Sequence, residues 1–255
     1  MGNDQWSFQN LLGSFRRLET DTDFSDDFHG NDGPIIARRF KPEDWLPAQS
    51  AFYSACKAYG FPDSPDHNSP DASGIGPTPF NNPNGIRWST ALGYLDPARH
   101  RLNLTIRPNC TVHRIMIEGN RAIGAVVESG GDIFTVEGDQ IILSGGAIAS
   151  PQLLMLSGVG PADHLRSHGI PVVNDLPGVG QNLRDHPIVP HISCTCKMGP
   201  SSDPMAVVDQ FGKVHGLDGI RVVDASIMPD CIRANTNVTT MMIGERVSEF
   251  MLQGS

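Results

Sequence analysis

The chain has 255 residues, 39% of them hydrophobic, and a formal net charge of −9 from 28 acidic and 19 basic side chains. That length can bury a substantial core, as one large domain or two small ones. Acidic charge spread thinly argues against nucleic acid and anionic membrane as partners, and no apolar run approaches the length of a membrane span.

The opening Met1-Gly2-Asn3-Asp4 is unlike a signal peptide. Five cysteines at irregular spacing do not suggest a disulfide framework, so a reducing, cytoplasmic setting is expected. From Trp6 to Leu18 the apolar residues fall at helical spacing, with Arg16 and Arg17 on the far side. Thr20 to Asp32 reads as an acidic loop that runs into His29-Gly30-Asn31-Asp32-Gly33-Pro34, where His29 reads as a turn residue. Leu46 to Tyr59 is a second helix, stopped by Gly60 and followed by Pro62. Phe61 to Asn84 is dense in Pro, Asp, Asn, Ser and Gly, a long irregular crossing. Strands are expected at Leu102–Ile106, Cys110–Ile117, Ala122–Val127 and Ile133–Val136, with hairpin turns at Gly119-Asn120 and Gly130-Gly131.

This β-meander leads into Ile141-Ile142-Leu143, an unbroken apolar run of the kind expected for a strand buried on both faces. Gly145 and Gly146 then allow a tight turn. Ser150 fits a helix N-cap with Pro151 at the first helical position, and Ser157-Gly158 fits the stop. Strand, glycine turn and helix start together form a place where a phosphate or flat cofactor could meet bare backbone N–H groups. Near the C-terminus, Val222-Val223-Asp224 reads as a buried strand ending in a carboxylate, and Asn237 to Phe250 as a helix.

The stretch from Ile141 through Gly160 to Asp185-His186-Pro187 resembles the second signature region of the glucose–methanol–choline (GMC) oxidoreductases, FAD-dependent alcohol oxidases and dehydrogenases. Asn84-Gly85-Ile86-Arg87-Trp88-Ser89 and the His29-to-Pro34 turn resemble the same family. So does His191-Ile192-Ser193-Cys194-Thr195-Cys196-Lys197-Met198-Gly199, with Cys194 in place of a glycine and Lys197 in place of an arginine. The strongest match runs from Val214 to Glu245 and includes Asn235-Thr236-Asn237. Two departures stand out. No intact G-x-G-x-x-G with a following acidic residue occurs anywhere, and Gly178-x-Gly180-x-x-Leu183 lacks the third glycine. The Asp-His-Pro element and His191, which in the family flank a long substrate-binding domain, are nearly fused. The expectation is a partial chain, lacking the N-terminal dinucleotide motif and most of the substrate domain.

The resemblance implies an α/β fold: a partial FAD-binding, Rossmann-like, GMC-type domain with a β-meander and a remnant of a substrate or cap domain. The segments expected are 1–100 on the cap and substrate side, 101–187 and 201–255 in the FAD-binding domain, and 188–200 as the junction carrying the catalytic His. By resemblance His191 is the base that takes the substrate's hydroxyl proton and Asn235 its partner. Val112, Gly145, Asp224, Ala225, Asn235, Thr236 and Asn237 would line FAD. An imidazole with an ordinary pKa of about 6.5 suits the base role at neutral pH.

The implied reaction is choline- or alcohol-dehydrogenase-like oxidation of a small alcohol, with hydride passing to flavin N5. The alternative is a non-catalytic remnant unable to hold FAD. No metal is expected. His186, His191, Cys194 and Cys196 offer zinc-type ligands, but the two cysteines are too close in sequence and no second pair follows. There is no G-x-S-x-G elbow for a serine hydrolase.

Overall fold

The computed structural model describes residues 2–186, 191–232 and 234–255. Pro187 to Pro190, where the sequence places the junction, lie outside the described residues. Contacts divide the chain into two bodies, Leu12–Thr105 and Met1–Leu11 with Ile106–Ser255, so the division falls inside helix α1 (Phe8–Leu18).

In the Leu12–Thr105 body, β1 (Glu19–Asp21) pairs in parallel with β2 (Ile35–Ala37). Leu18, Ile35 and Ala37 are buried beneath them. Helix α2 (Pro47–Tyr59) begins on its proline and ends at Gly60, whose φ of 103° only a glycine adopts cheaply. Residues 61–88 are irregular, held by short bridges such as Asp63 to Ile75. A π-helical turn, Ala91–Leu95, continues into the single turn α3 (Asp96–Ala98). His29 is not a simple turn residue: it is buried at 4% exposure within a group of charged side chains.

The second body opens on the meander. β3 (Thr111–Glu118), β4 (Arg121–Ser129) and β5 (Asp132–Glu137) form an antiparallel sheet in that order. Its turns lie at Gly119-Asn120 and Gly130-Gly131, with positive φ at all three glycines. The strand expected at Leu102–Ile106 does not form: Arg101 to Leu104 make a turn, and Leu102 is fully exposed. β-branched content there finds no partner strand to bury against, and propensity without pairing is not a strand.

β6 (Ile141–Leu143) pairs in parallel with β9 (Ile220–Val222). Ile142 is 45% exposed, so β6 is not buried on both faces as its sequence suggested. β9 ends two residues before Asp224, which caps a 3-10 turn, Ala225–Ile227. Helix α4 (Gly146–Leu156) follows β6 and stops at Ser157-Gly158 as expected. It starts five residues earlier than the sequence indicated, so Pro151 lies inside it rather than at its first position. β7 (Val159–Gly160), α5 (Ala162–Ser167) and β8 (Asn174–Asp175) come next, β7 and β8 being parallel. Helix α6 (Thr236–Leu252) closes the body, burying Met242, Ile243, Val247 and Phe250. Phe250 meets Phe211 and Trp6 edge-on.

Candidate active site

Asp224 sits at the switch from β9 to the 3-10 turn, 4% exposed. Its carboxylate accepts from Gly146 N at 2.9 Å, Ser226 N at 2.8 Å and the Ser150 hydroxyl at 2.5 Å. Ser150 Oγ in turn accepts from Gly145 N at 3.0 Å. The glycine turn therefore does not present bare N–H groups. Ser150 is not an N-cap but a residue of the second helical turn that reaches back to Gly145. Gly146, at φ +78°, keeps open space over its Cα.

Pro151 inside α4 cannot donate to the carbonyl of Ala147 four residues back. Thr195 Oγ1 supplies that missing donor at 2.6 Å. This bond fastens the Ser193–Met198 segment to the helix. The same segment runs along the 3-10 turn, with Cys194 N, Cys196 N and Met198 N donating to the carbonyls of Ala225, Ser226 and Ile227. Sequence reasoning missed Thr195, although a proline within an apolar helix announces an orphan carbonyl that some hydroxyl must satisfy. Cys194, in the family's glycine position, is fully buried at φ +74°, a backbone that glycine adopts without strain.

His191 is half-buried at the head of this segment. Asp185 Oδ1 accepts from its backbone N–H at 2.6 Å and from that of His186 at 2.8 Å. The His186 and His191 rings meet edge-to-face, centroids 6.1 Å apart. Asn235 is exposed and caps α6, its Oδ1 accepting from Asn237 N at 3.1 Å. With Oδ1 committed to the helix, the group Asn235 can offer a ligand is its Nδ2 donor. The segment beginning at His191 and the helix capped by Asn235 both rest on Ala225–Ile227. Among the described residues no hydrogen bond or ring contact joins the two side chains directly.

Val112 lies 37% exposed on β3. It lines an open cavity of about 440 Å³ with Thr111, His113, Ala149, Gln152, Leu153 and Leu156. Burial raises the thiol pKa of Cys194, and pushes that of Cys196 up to about 12. Both thiols are therefore harder to ionise than a free cysteine.

Two profiles described as GMC oxidoreductase match the sequence, one over residues 1–188 and one over 182–244. The chain belongs to the GMC oxidoreductase family. An uncharacterized GMC-type oxidoreductase of Rhodococcus erythropolis is 42% identical over 184 residues, 72% of this chain and 37% of that protein. An oxygen-dependent choline dehydrogenase of Cronobacter sakazakii is 28% identical over 421 aligned positions, 97% of this chain and 75% of that protein. A 255-residue chain spans such an alignment only with long gaps. The first curated relatives are matched along 33% to 37% of their length, so the chain spans about a third of them. Among solved structures, an FAD-dependent oxidoreductase from Chaetomium thermophilum superposes with a TM-score of 0.90 at 17% identity. That superposition covers 99% of this chain and 81% of the other. The GMC fold is thus shared, and FAD is the cofactor that goes with this family and this neighbour.

Proposed function

We propose that this chain serves FAD-dependent oxidation of a small alcohol, with His191 as the base and Asn235 as the oxygen-side donor. The observation that carries the reading is the common footing of the two residues: their carriers both rest on the Ala225–Ile227 turn. When bound, FAD supplies the hydride acceptor for the carbinol carbon. An imidazole nitrogen of His191 takes the hydroxyl proton as that hydride leaves, assistance typically worth about 10²–10⁴ in rate. Asn235 Nδ2 donates to the same oxygen as it gains alkoxide character.

The cradle fits in part. The Val112 edge of the cavity, the open face of Gly146 and the N-terminal end of a 17-residue helix at Thr236 suit a flavin nucleotide, with the Asn237 N–H already taken by Asn235 Oδ1. Gly145 and Ala225 would contribute backbone surface. Asp224 would act from behind, since its oxygens are already taken by three donors.

Purified protein mixed with FAD should retain flavin absorbance after gel filtration. His191→Ala should then keep the colour and lose alcohol-dependent bleaching, and unchanged bleaching would refute the base role. A second reading is favoured by one specific observation, the absence of a G-x-G-x-x-G fingerprint from the sequence. It holds that the chain is a non-catalytic remnant, and a colourless protein after FAD addition supports it.

A further inference from the structure

The Leu12–Thr105 body carries a polar centre that the proposed alcohol chemistry does not use. Asp21, His29, Arg39 and Asp66 are all buried, none with a side chain more than 7% exposed. Arg39 Nη1 donates to Asp21 Oδ1 and Oδ2 at 2.9 and 2.8 Å, and its Nη2 to Asp66 Oδ1. The guanidinium thus holds one side of each carboxylate. On the other side, Asp66 Oδ2 and His29 Nε2 face each other at an ion-pair distance of 3.2 Å, buried, and among the described residues neither has a hydrogen-bond partner.

Asp26 decides how that histidine is oriented. Its Oδ1 lies 2.7 Å from His29 Nδ1. In the neutral ring, a carboxylate there holds the proton on Nδ1 and leaves the Nε2 lone pair facing inward, the support usual behind a metal-ligating imidazole. The spacing agrees. Donors about 2.1 Å from a common ion lie roughly 3–4 Å apart. His29 Nε2 is 3.2 Å from Asp66 Oδ2 and 3.8 Å from Asp21 Oδ2. Donor atoms of Glu19, Asp21 and His29 all fall within 4.8 Å of one another. Gly30 N donates to Glu19 Oε2 at 3.2 Å, fixing that carboxylate as Asp26 fixes the ring.

We propose that Glu19, Asp21, His29 and Asp66 form a binding site for a divalent ion of the zinc class, pinning the chain between β1 and β2. Imidazole and carboxylate are the ligands such an ion takes, and Arg39 and Asp26 hold them from outside.

The test is calorimetric titration of the EDTA-treated, full 255-residue chain with zinc chloride. One equivalent should bind, and the thermal midpoint should rise with zinc. Asp66→Asn should weaken binding at least tenfold, and Asp26→Asn about 10–100-fold, the range typical for an outer-shell partner. Asp26 is half-exposed, so its replacement tests the site without threatening the fold if Asp66→Asn misfolds. On zinc addition the Nε2 resonance of His29 should shift while Nδ1 keeps its proton. No stoichiometric uptake overturns the proposal, and so does uptake unaffected by Asp26→Asn.

Discussion

Two buried carboxylate centres of this chain solve the same problem differently. Asp224 is satisfied by two backbone N–H groups and a hydroxyl, all neutral, drawn from β6–α4 and from its own turn. Asp21 and Asp66 add a buried guanidinium to backbone donors, Asp23 N and Phe24 N on Asp21 and Asn68 N on Asp66, and among the described residues Asp66 Oδ2 has no hydrogen-bond donor. The first arrangement is a finished joint, whose worth is structural. The second has unspent lone pairs, and its worth depends on which cation is present. Buried ionic pairs are costly to break because the remaining charge is stranded.

The comparison can be broken at its strongest point. Arg39→Ala should destabilise by about 3–5 kcal/mol, since it strands two buried aspartates. Urea unfolding followed by circular dichroism measures this, and a loss under 1 kcal/mol would show that the cluster is solvated. Asp224→Ala should cost about 3 kcal/mol by leaving three donors unsatisfied. For a chain of this size that is a fall of roughly 6–12 °C in Tm.

A pH experiment separates burial from charge. Cys196 titrates near 12 in the native state and near 8.5 unfolded. The unfolded chain therefore releases the proton first, and stability falls as pH rises from about 8.5 towards 12. Between pH 8.5 and 10 the loss should reach about 2 kcal/mol, and Cys196→Ala should lack it. The smallest effect is at the α4 repair. Thr195→Val should cost about 1 kcal/mol, and adding Pro151→Ala, which restores an N–H for the Ala147 carbonyl, should recover most of it. Strict additivity in that double-mutant cycle would mean the hydroxyl does not serve the orphan carbonyl.

Local chemistry was readable from sequence wherever the deciding partner was near in the chain. Gly60 ends α2, and Gly119, Gly130 and Gly131 set the hairpin turns, because tolerance of φ > 0 is a property of the residue itself. Ser150-Pro151 was misjudged because Asp224, 74 residues on, captures the serine and lets α4 start early. His29 looked like a turn residue because Asp66 and Arg39 lie far along the chain. The roles proposed for His191 and Asn235 came from family resemblance, not from any local pattern.

The pairing of β6 with β9 has a consequence for how this molecule comes into being. Gly146 and Asp224 are 78 residues apart, so the glycine turn cannot be locked until the segment carrying Asp224 has left the ribosome. Closing so large a loop is entropically late. The meander, whose contacts are local, would take shape before that long-range joint closes.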